Sequence, residues 1–349
     1  MSTKDIIIMI LVPFLFTLAF MPVVMKIARH IGAMDIPNQR KVHKTPIPRL
    51  GGLGIYLGFL LGYVLFGQMS LRMNAILIGS IIIIITGIID DINPIPAKVK
   101  LLGQIAAASV VAIYGQILLQ DISAFGLYIN FSYFSYPITI IFIVAIINCI
   151  NLIDGLDGLS SGLASIYFLT IGIVSIHLHN GFGLDTILTF IMLGSTLGFL
   201  FHNFNPAKIF AGDSGSMFMG YMIAVIALLG FKNVTLTTFL VPLVLIAIPI
   251  LDTLFAIIRR SLKHQPIYMP DKCHLHHQLL SLGLSHRNTV LAIYAMNILF
   301  AIASIIYITG NKKIGIYVYL TILALILWIV FRTGIISEKN KLTVNKREK

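Results

Sequence analysis

The stretch "ITIIFIVAIINCINLIDGLDGLSSG", residues 138–162, passes from an unbroken apolar run into amides, carboxylates and glycines. Its first half is suited to the interior of a bilayer, where charged side chains are unfavourable. Asn148, Asn151, Asp154 and Asp157 then recur every three residues, so in a helix they occupy adjoining positions. A tight turn between two membrane spans is the simplest alternative, but a turn does not need two Asp. The pattern therefore favours a polar site at the end of a membrane helix.

The composition of the whole chain supports a membrane protein. Of its 349 residues, 58% are hydrophobic and 11% are charged, and the mean hydropathy is +0.95. Soluble domains carry roughly a quarter charged residues. We therefore predict an all-α, polytopic membrane protein with about 11 transmembrane helices. The predicted spans are 6–25, 51–67, 73–89, 101–119, 135–150, 160–178, 186–202, 215–231, 235–258, 289–309 and 314–333.

The chain shows no long linker, low-complexity segment or internal repeat. We predict a single transmembrane catalytic domain over residues 1–334 and a basic cytoplasmic tail over 335–349. The first span is too long for a cleaved signal and lacks a small-residue cleavage site. Cys149 and Cys273 fall in a span and an inner loop, so no disulfide framework is expected.

Two spans carry signals of helix packing and bending. In the second span, Gly54, Gly58 and Gly62 predict close helix packing. In the ninth span, Pro242 and Pro249 predict a bend.

The positive charges predict the orientation. With the N-terminus outside, 20 of the 25 Lys and Arg residues fall on the inner side of the membrane, as the positive-inside rule requires. The protein is expected in the plasma (inner) membrane with a cytoplasmic active site. This bias accounts for most of the net charge of +12, so a nucleic-acid partner is not needed. Basic inner loops also suit anionic lipids or an anionic substrate.

The acidic residues collect on the same inner side. Eight of the ten His residues fall there too. A transporter would place its essential charges near the bilayer midplane, whereas only Asp252 is expected one or two turns deep. The distribution favours an interfacial enzyme with a cytoplasmic substrate. The acids on or near the inner face are Asp35, Asp90, Asp91, Asp154, Asp157, Asp213, Asp252 and Asp271.

Three inner segments suggest a metal and anion site. The third span ends in Asp90 and Asp91 with Lys98 and Lys100 close behind, and adjacent carboxylates need a cation, a proton or lysines nearby. The alternative is a capped helix end with solvated lysines. The segments 151–162 and 203–216 each lead from amides and Asp into a Gly/Ser helix start. Bare helix N-termini bind anions, so together these groups indicate a Mg²⁺–pyrophosphate site.

Two further features suit the same ligand. Phe210 alone would be a core residue, but beside an anion site it can stack on a base. The inner loop carries Arg260 followed by His274, His276 and His277. A zinc site that includes Cys273 is the alternative, but these ligands are crowded and lack the paired spacing of structural zinc sites. A clamp for phosphate or sugar is the better interpretation.

Five motifs, taken together, carry a family resemblance: "KVHKTPIPRLGG" (41–52), "DDINPIPAKVK" (90–100), "NLIDGLDGLSSG" (151–162), "NPAKIFAGDSGS" (205–216) and "MPDKCHLHH" (269–277). In this order they resemble the polyprenyl-phosphate N-acetylhexosamine-1-phosphate transferases of the glycosyltransferase family 4 type. Within that superfamily the sequence is most similar to the bacterial undecaprenyl-phosphate GlcNAc-1-phosphate transferases that start teichoic acid, common-antigen or O-antigen synthesis.

The resemblance implies a Mg²⁺-dependent reaction, with Mn²⁺ as a substitute ion. GlcNAc-1-phosphate passes from UDP-GlcNAc to undecaprenyl phosphate, giving undecaprenyl-diphospho-GlcNAc and UMP. A phosphate oxygen is already ionised near neutral pH, so a positioning and electrostatic role is favoured for the Asp pair over strict base catalysis.

The resemblance also assigns roles to particular residues. The implied metal ligands are Asn151 and Asp213, and the implied uracil contacts are Asp157 and Phe210. Lys100 pairs with the diphosphate, Asp90 or Asp91 orients or deprotonates the lipid phosphate, and His274, His276, His277 and Arg260 lie near the sugar or diphosphate. Asp154 joins the catalytic group, and Lys44, Arg49, Lys98 and Asn203 join the substrate-binding group.

Several alternatives stay open at this point. The related phospho-MurNAc-pentapeptide transferases and transferases of other amino sugars fit the superfamily motifs. From another class, an anion transporter or a lipid-binding scaffold is also basic, polytopic and rich in glycine. Whether the chain forms a homo-oligomer is not determined by its sequence.

Overall fold

A computed structural model of the chain describes residues 2–37, 45–124, 127–179, 183–231, 236–262 and 274–333. Its helices and strands are in the following order. They are α1 (Thr3–Ile31), β1 (Met34–Asp35), β2 (Ile47–Pro48), α2 (Gly51–Phe66), α3 (Leu71–Ile92), α4 (Ala97–Ser109) with a π-helical extension (Val110–Tyr114), β3 (Asp121–Ala124), β4 (Leu127–Asn130), α5 (Ser135–Ile153), α6 (Leu159–His179), α7 (Leu184–Asn203), α8 (Gly212–Phe231), α9 (Leu236–Leu245), α10 (Ala247–Leu262), α11 (Leu275–Ser281), α12 (His286–Thr309) and α13 (Lys312–Thr333).

The all-α, polytopic class predicted from the sequence is confirmed. In the described part of the chain, eight helices are long and apolar enough to cross a membrane, and the pair α9–α10 raises the number to nine if it is one span. The other two predicted spans coincide with α2, a shorter apolar helix of 16 residues, and with α13. Each predicted span therefore overlaps a helix or a bent helix pair, although only eight or nine meet the length and hydropathy required.

Helix α8 forms the centre of the bundle. In its apolar window 89% of the residues are buried, against 22% for α1. It packs against α2, α3, α5, α6 and α7. Two buried hydroxyls tie neighbours to main-chain carbonyls: Tyr221 of α8 donates to Ile76 at 3.0 Å, and Tyr167 of α6 donates to Ile223 at 3.2 Å. Helix α8, which carries Asp213 in its first turn, is thus packed among neighbouring helices.

The first turn of α8 is approached closely by glycines of two neighbouring helices. A Cβ added to Gly52 of α2 would lie 2.1 Å from the main-chain nitrogen of Gly215, and one added to Gly87 of α3 would lie 2.3 Å from the Cα of Ser214. Any larger side chain would meet backbone here, which cannot move aside without shifting a helix. These contacts bring the ends of α2 and α3 against the start of α8.

The predicted packing stripe of α2 faces α1 and α7. Added Cβ atoms at Gly54, Gly58 and Gly62 would meet the side chains of Met21, Thr17 and Ile191, respectively, within 2.6 Å. Small residues let helices approach closely in a membrane, where packing drives association. The packing role expected of these glycines is confirmed.

The predicted bend in the ninth span lies between α9 and α10, which meet at 73°. Pro249 has no backbone N–H to donate to Leu245, the last residue of α9. Pro242 lies inside α9, which continues past it. The break is thus associated with Pro249. Helix α10 follows the break and carries Asp252, which contacts His274 in the segment 274–277 (the histidine segment).

Two short antiparallel pairs complete the fold. Strands β1 and β2 pair Met34 with Pro48 and Asp35 with Ile47 in the connection between α1 and α2. Strands β3 and β4 form a hairpin between α4 and α5, at the other end of those helices from the α3–α4 connection. The first pair holds Arg49 directly before α2, where it reaches the site described next.

Candidate active site

A cavity of about 590 Å³ opens where the connections between the helices meet. Cavities of 300–1,000 Å³ are typical of small-molecule sites. Its wall comes from the α1–α2, α5–α6 and α7–α8 connections and from the α11–α12 segment, which the sequence places on one side of the membrane. The wall consists of Asp35, Thr45, Ile47, Arg49, Asn151, Asp154, Gly155, Leu156, Asp157, Asn203, Asn205, Pro206, Ala207, Phe210, Ala211, Gly212, Asp213, His277 and His286.

Three carboxylates and two cations lie together beside this cavity, and two of them, Asp213 and Arg49, belong to its wall. Asp90, Asp91 and Asp213 each offer an oxygen, and these oxygens lie within 4.8 Å of one another. Lys100 Nζ lies 2.8 Å from Asp90 Oδ2 and also contacts Asp213 Oδ2. Arg49 lies 3.3 Å from Asp91 and 3.4 Å from Asp213. The two cations keep three like charges together, as adjacent carboxylates require.

Asp91 caps α8 from outside the helix. Its Oδ1 accepts from the backbone N–H of Asp213 at 2.7 Å, and its Oδ2 accepts from the backbone N–H and the hydroxyl of Ser214 at 3.1 and 2.6 Å. The expectation of a bare helix N-terminus here is therefore wrong. A buried helix start must have its first N–H groups satisfied, and a carboxylate of α3 satisfies them. Both oxygens of Asp91 are thus committed to α8.

Asp90 is bound differently. Its Oδ1 accepts from the backbone N–H of Ile95 at 2.9 Å, and its Oδ2 faces Lys100. Arg49 contacts a third acid, Asp35, at 3.9 Å. Burial by itself lowers the pKa of Arg49, but Asp91, Asp213 and the other carboxylates raise it above its usual value. The guanidinium is therefore a permanent positive charge at the cavity wall.

Asn151 and Asp154 line the cavity from the end of α5. The Asn151 side-chain amide donates to the Ser216 hydroxyl at 2.9 Å, which leaves the amide oxygen out of that bond. Asp154 accepts from the Ser160 hydroxyl at 2.5 Å. Burial raises the pKa of Asp154 to about 6, and the bond from Ser160 offsets part of that effect. The Asp154 carboxyl therefore takes up a proton more readily than an exposed carboxyl does.

Asn203 joins two of the loops. Its side-chain oxygen accepts from the backbone N–H of Gly158 at 3.0 Å and from the Ser161 hydroxyl at 2.8 Å. Its side-chain nitrogen donates to the carbonyl of Ile209 at 2.9 Å. The side chain is thus largely used in holding the α5–α6 and α7–α8 connections together, although Asn203 also contributes to the cavity wall.

Phe210 is held by main-chain bonds on both sides. Its N–H donates to the carbonyl of Pro48 at 2.8 Å, and its carbonyl accepts from the N–H of Gly51 at 2.9 Å. Gly52 donates to the carbonyl of Ala211 in the same way. These bonds satisfy the backbone N–H groups of Gly51 and Gly52 at the start of α2 and fix the backbone of Phe210 at the cavity wall. Phe210 is among the residues that line the cavity, and its role in stacking on a base stays a prediction.

The histidine segment is anchored by Asp252 of α10. Asp252 Oδ2 accepts from His274 Nδ1 at 2.7 Å, and Oδ1 accepts from the N–H of Leu275 at 2.8 Å. The His274 and His276 rings stack at 5.8 Å, and His277 follows at 4.3 Å from His276. Burial, followed by the other histidines, lowers the pKa of His276 to about 3, so this ring is neutral. Of the three histidines, only His277 lines the cavity.

The chain is similar to known proteins over most of its length. The family model for glycosyl transferase family 4 matches residues 73–231. A probable undecaprenyl-phosphate N-acetylglucosaminyl 1-phosphate transferase of Bacillus subtilis is 42% identical, covering 96% of this chain and 94% of the relative. The chain belongs to glycosyl transferase family 4.

Two further relatives are less similar to this chain. A decaprenyl-phosphate N-acetylglucosaminephosphotransferase of Mycobacterium tuberculosis is 34% identical, over 77% of this chain and 74% of the relative. An undecaprenyl-phosphate alpha-N-acetylglucosaminyl 1-phosphate transferase of Yersinia pestis is 30% identical, over 84% and 82%. The family resemblance inferred from the five motifs is confirmed.

The remaining predicted site residues are distributed as follows. Lys98 is exposed and does not line the cavity. Lys44 and Cys273 lie outside the described residues, as does the predicted tail, residues 335–349. Arg260 is buried and is not part of the cavity wall. The roles assigned to all these residues stay predictions.

Sequence reasoning missed four residues that the structure brings into or next to the family 4 site. Asp35, Asn205 and His286 line the cavity, and Asp252 anchors the histidine segment. Asp35 and Asp252 carried a signal, since both are acids on the inner side, and Asn205 lies inside a quoted motif. His286 carried only the signal of being one of the eight His residues on the inner side.

Proposed function

We propose that this chain transfers GlcNAc-1-phosphate from UDP-GlcNAc to undecaprenyl phosphate, releasing UMP. The observation that carries the proposal is the cluster of Asp90, Asp91 and Asp213 with Lys100 and Arg49, which shares Asp213 and Arg49 with the wall of a cavity of nucleotide-sugar size. Relatives named for this reaction or its decaprenyl counterpart support it.

The reaction joins two anions. An oxygen of the lipid phosphate attacks the sugar-bearing phosphorus of the donor, and the bond from that phosphorus to the UMP oxygen breaks. Catalysis then consists mainly of positioning and charge stabilisation. Lys100 and Arg49 provide fixed positive charge, and both contact Asp213. Their paired carboxylates hold them in place until phosphate oxygens compete for the same donors.

The oxygen donors fit a divalent cation. Carboxylates and an amide oxygen are the ligands that Mg²⁺ takes, together with phosphate oxygens, and Mn²⁺ accepts the same set. We assign Asp213 and Asn151 as the residues that would hold the ion, with Asp90 close by. When bound, the ion neutralises charge on the diphosphate.

We assign Asp90, and not Asp91, to the lipid phosphate. Both oxygens of Asp91 are used by the first turn of α8 and by Arg49. Asp90 has one oxygen bound to Ile95 and one shared with Lys100, so it can orient a phosphate through that lysine. Asp154 lies beside the same charges and contributes to their balance.

Other residues of the cavity wall suit the donor nucleotide. Phe210 offers an apolar face for stacking on uracil, and Asp157 offers a carboxylate as hydrogen-bond acceptor. His277 enters the same cavity, where it can contact the sugar or diphosphate. His274 and His276 would act by holding it in place.

The proposed setting is the cytoplasmic face of the plasma membrane, where the nucleotide sugar and the lipid meet. Transfer of phospho-MurNAc-pentapeptide or of another amino sugar is the competing substrate hypothesis within family 4. An anion transporter is the competing hypothesis outside it. No observation on the described residues favours either of them.

The decisive experiment measures UMP release by purified protein. With UDP-GlcNAc, Mg²⁺ and a polyprenyl phosphate, UMP and lipid-linked GlcNAc are expected in equal amounts, and omission of the lipid or chelation of the metal should stop both. UDP-MurNAc-pentapeptide is expected to be inactive as donor. Uptake of the nucleotide sugar into vesicles without UMP release would support a transporter and refute the proposal.

Asp213→Asn tests the metal assignment. Asp91 already caps α8, so this change removes charge without removing a helix cap. Turnover should fall by orders of magnitude and the Mg²⁺ requirement should rise, while the unfolding temperature stays close to wild type. Asn151→Ala should shift the Mg²⁺ dependence in the same way. Asp121→Asn, on the distant β3–β4 hairpin, is the control. Near-normal turnover of Asp213→Asn at low Mg²⁺ would remove Asp213 from the metal site.

A further inference from the structure

The ring of His286 lines the cavity beside Asp157, although the proposed function gives it no role. His286 begins α12, directly after the N-cap residue Ser285. Its Nε2 accepts a hydrogen bond from the backbone N–H of Asp157 at 2.8 Å and lies 3.8 Å from Asp157 Oδ1. An imidazole nitrogen that accepts such a bond carries no proton, so the ring donates only through Nδ1. The contact therefore specifies one tautomer of His286.

Asp157 is held from two sides. Its Oδ2 accepts from the side-chain nitrogen of Asn205 at 2.8 Å and from the backbone N–H of Ala207 at 3.1 Å. These bonds commit Oδ2 to the α7–α8 connection, while His286 holds the backbone. The oxygen that remains to meet a ligand in the cavity is Oδ1. Its direction depends on both sets of bonds.

Two other side chains of α12 hold the same loop from outside the cavity. The Tyr294 hydroxyl donates to the carbonyl of Gly158. The Arg287 guanidinium lies 5.7 Å from the centre of the Phe204 ring, and Phe204 packs against Gly158. Because these contacts maintain the loop independently, loss of the His286 bond should reorient Asp157 without unfolding the segment.

We propose that His286 is a positioning residue for the nucleotide end of the donor. By holding the backbone of Asp157, it directs Oδ1 to accept the N–H of a uracil base, whose ring offers one N–H donor. This inference rests on the proposed function and adds to it a residue that determines affinity for the pyrimidine nucleotide, separate from the acidic cluster that acts on the phosphates.

The test compares three variants of the full-length protein. His286→Leu retains bulk but has no acceptor, whereas His286→Gln places an amide oxygen near the position of Nε2. Asn288→Leu makes a similar polar-to-apolar change on the same helical turn, at an exposed position outside the cavity. The measurements are UMP affinity, the KM for UDP-GlcNAc and for polyprenyl phosphate, kcat, and the unfolding temperature.

His286→Leu should weaken UMP binding and raise the KM for UDP-GlcNAc by roughly five- to tenfold, the effect of one lost hydrogen bond. The lost hydrogen bond would stabilise the bound substrate and the transition state equally, so kcat should stay within about twofold of the wild-type value. The KM for the lipid should not change. His286→Gln should recover most of the affinity, and Asn288→Leu should match wild type.

Wild-type UMP affinity in His286→Leu would overturn the inference, as would an equal loss in Asn288→Leu or a lack of rescue by Gln. A large fall in unfolding temperature for His286→Leu would show a structural role instead.

UMP binding does not require turnover, so it separates the role of His286 from the proposed reaction. Wild-type protein that binds UMP but releases none from UDP-GlcNAc would refute the proposed reaction and leave the His286 comparison valid. Wild-type protein that does not bind UMP would overturn both.

Discussion

Asp90 and Asp91 are neighbours in the chain with different surroundings. Asp91 accepts three hydrogen bonds from the first turn of α8 and pairs with Arg49. Asp90 accepts from Ile95 and pairs with Lys100. Adjacent residues of a helix point about 100° apart, so a helix end can present one carboxylate to a neighbouring helix and the other to a substrate. One acid is thus mainly structural and the other is available for chemistry.

We expect the two carboxylates to respond differently to replacement by Asn. Asp91→Asn retains one acceptor oxygen but leaves a buried donor of α8 unpaired, at a cost of about 1–3 kcal/mol, so the unfolding temperature should fall. Asp90→Asn retains the bond from Ile95 and should affect stability less, yet turnover should fall by orders of magnitude. Thermal unfolding and UMP release measure the two effects. Loss of stability in Asp90→Asn alone would reverse the assignment.

Asp154 should make stability depend on pH when no substrate is present. Burial raises the pKa of this carboxyl from 3.8 to about 6, so the folded protein binds the proton more tightly than the unfolded chain. Proton binding by Asp154 therefore stabilises the folded state. This contribution is complete below about pH 4 and is lost as the pH rises through about 6, by at most about 3 kcal/mol.

Asp154→Asn should therefore raise the unfolding temperature at pH 7.5 and flatten its change between pH 5 and pH 7.5. Asp121→Asn serves as the control and should behave like wild type. If wild type and Asp154→Asn show the same pH dependence of unfolding, the pKa of the Asp154 carboxyl is not raised in the folded protein.

At the scale of elements, the start of α8 depends on close approach of α2 and α3. Glycine at positions 52 and 87 lets both helices contact the backbone of the first turn of α8. That approach places Arg49, Asp90 and Asp91 around Asp213. A glycine stripe for packing could be read from the spacing in α2, but which neighbour each glycine meets could not, because partners are chosen by the whole bundle.

Gly52→Ala and Gly54→Ala form a matched pair on α2. The methyl group added at Gly52 would meet the backbone of Gly215 at 2.1 Å, whereas the one at Gly54 would meet the flexible end of Met21 at 2.5 Å. Overpacking against backbone costs about 1–3 kcal/mol or more, and here it also displaces Asp213. Gly52→Ala should lower both the unfolding temperature and turnover, and Gly54→Ala should lower neither by much. Equal effects in the two variants would argue against the α2–α8 contact.

The whole molecule presents its site at one end of the bundle. The residues that form the cavity belong to connections that the positive charges assign to the inner side, where 20 of 25 Lys and Arg residues fall. A crossing of charged loops to the other side is strongly disfavoured during insertion. The cavity is therefore expected to open to the cytoplasm.

Cysteine labelling tests this orientation. In a background without Cys149 and Cys273, Met69→Cys before α3 should react with a membrane-impermeant maleimide in intact cells. Asn93→Cys, just after the same helix, should react only after permeabilisation. Both positions are exposed, so accessibility within the fold does not limit labelling. The reverse pattern would place the acidic cluster on the outer side and refute a cytoplasmic site.

The sequence by itself determined the class of fold, the positions of the spans, the predicted sidedness and most of the acids that meet at the site. Hydropathy and charge are properties of local segments in a membrane, where each span must satisfy its own backbone, so they can be read without knowing which helices touch. The bend in the ninth span was predictable for the same reason, since proline acts on its own helix.

Only the tertiary structure decided what each polar group does. It showed that Asp91 caps α8, that Asn203 joins two loops, and that His286 holds Asp157. A hydrogen bond has a short range and a required direction, so its partners depend on how distant segments pack. His286 lies 129 residues from Asp157 along the chain, and only the packing of α12 against the α5–α6 connection brings the two residues into contact.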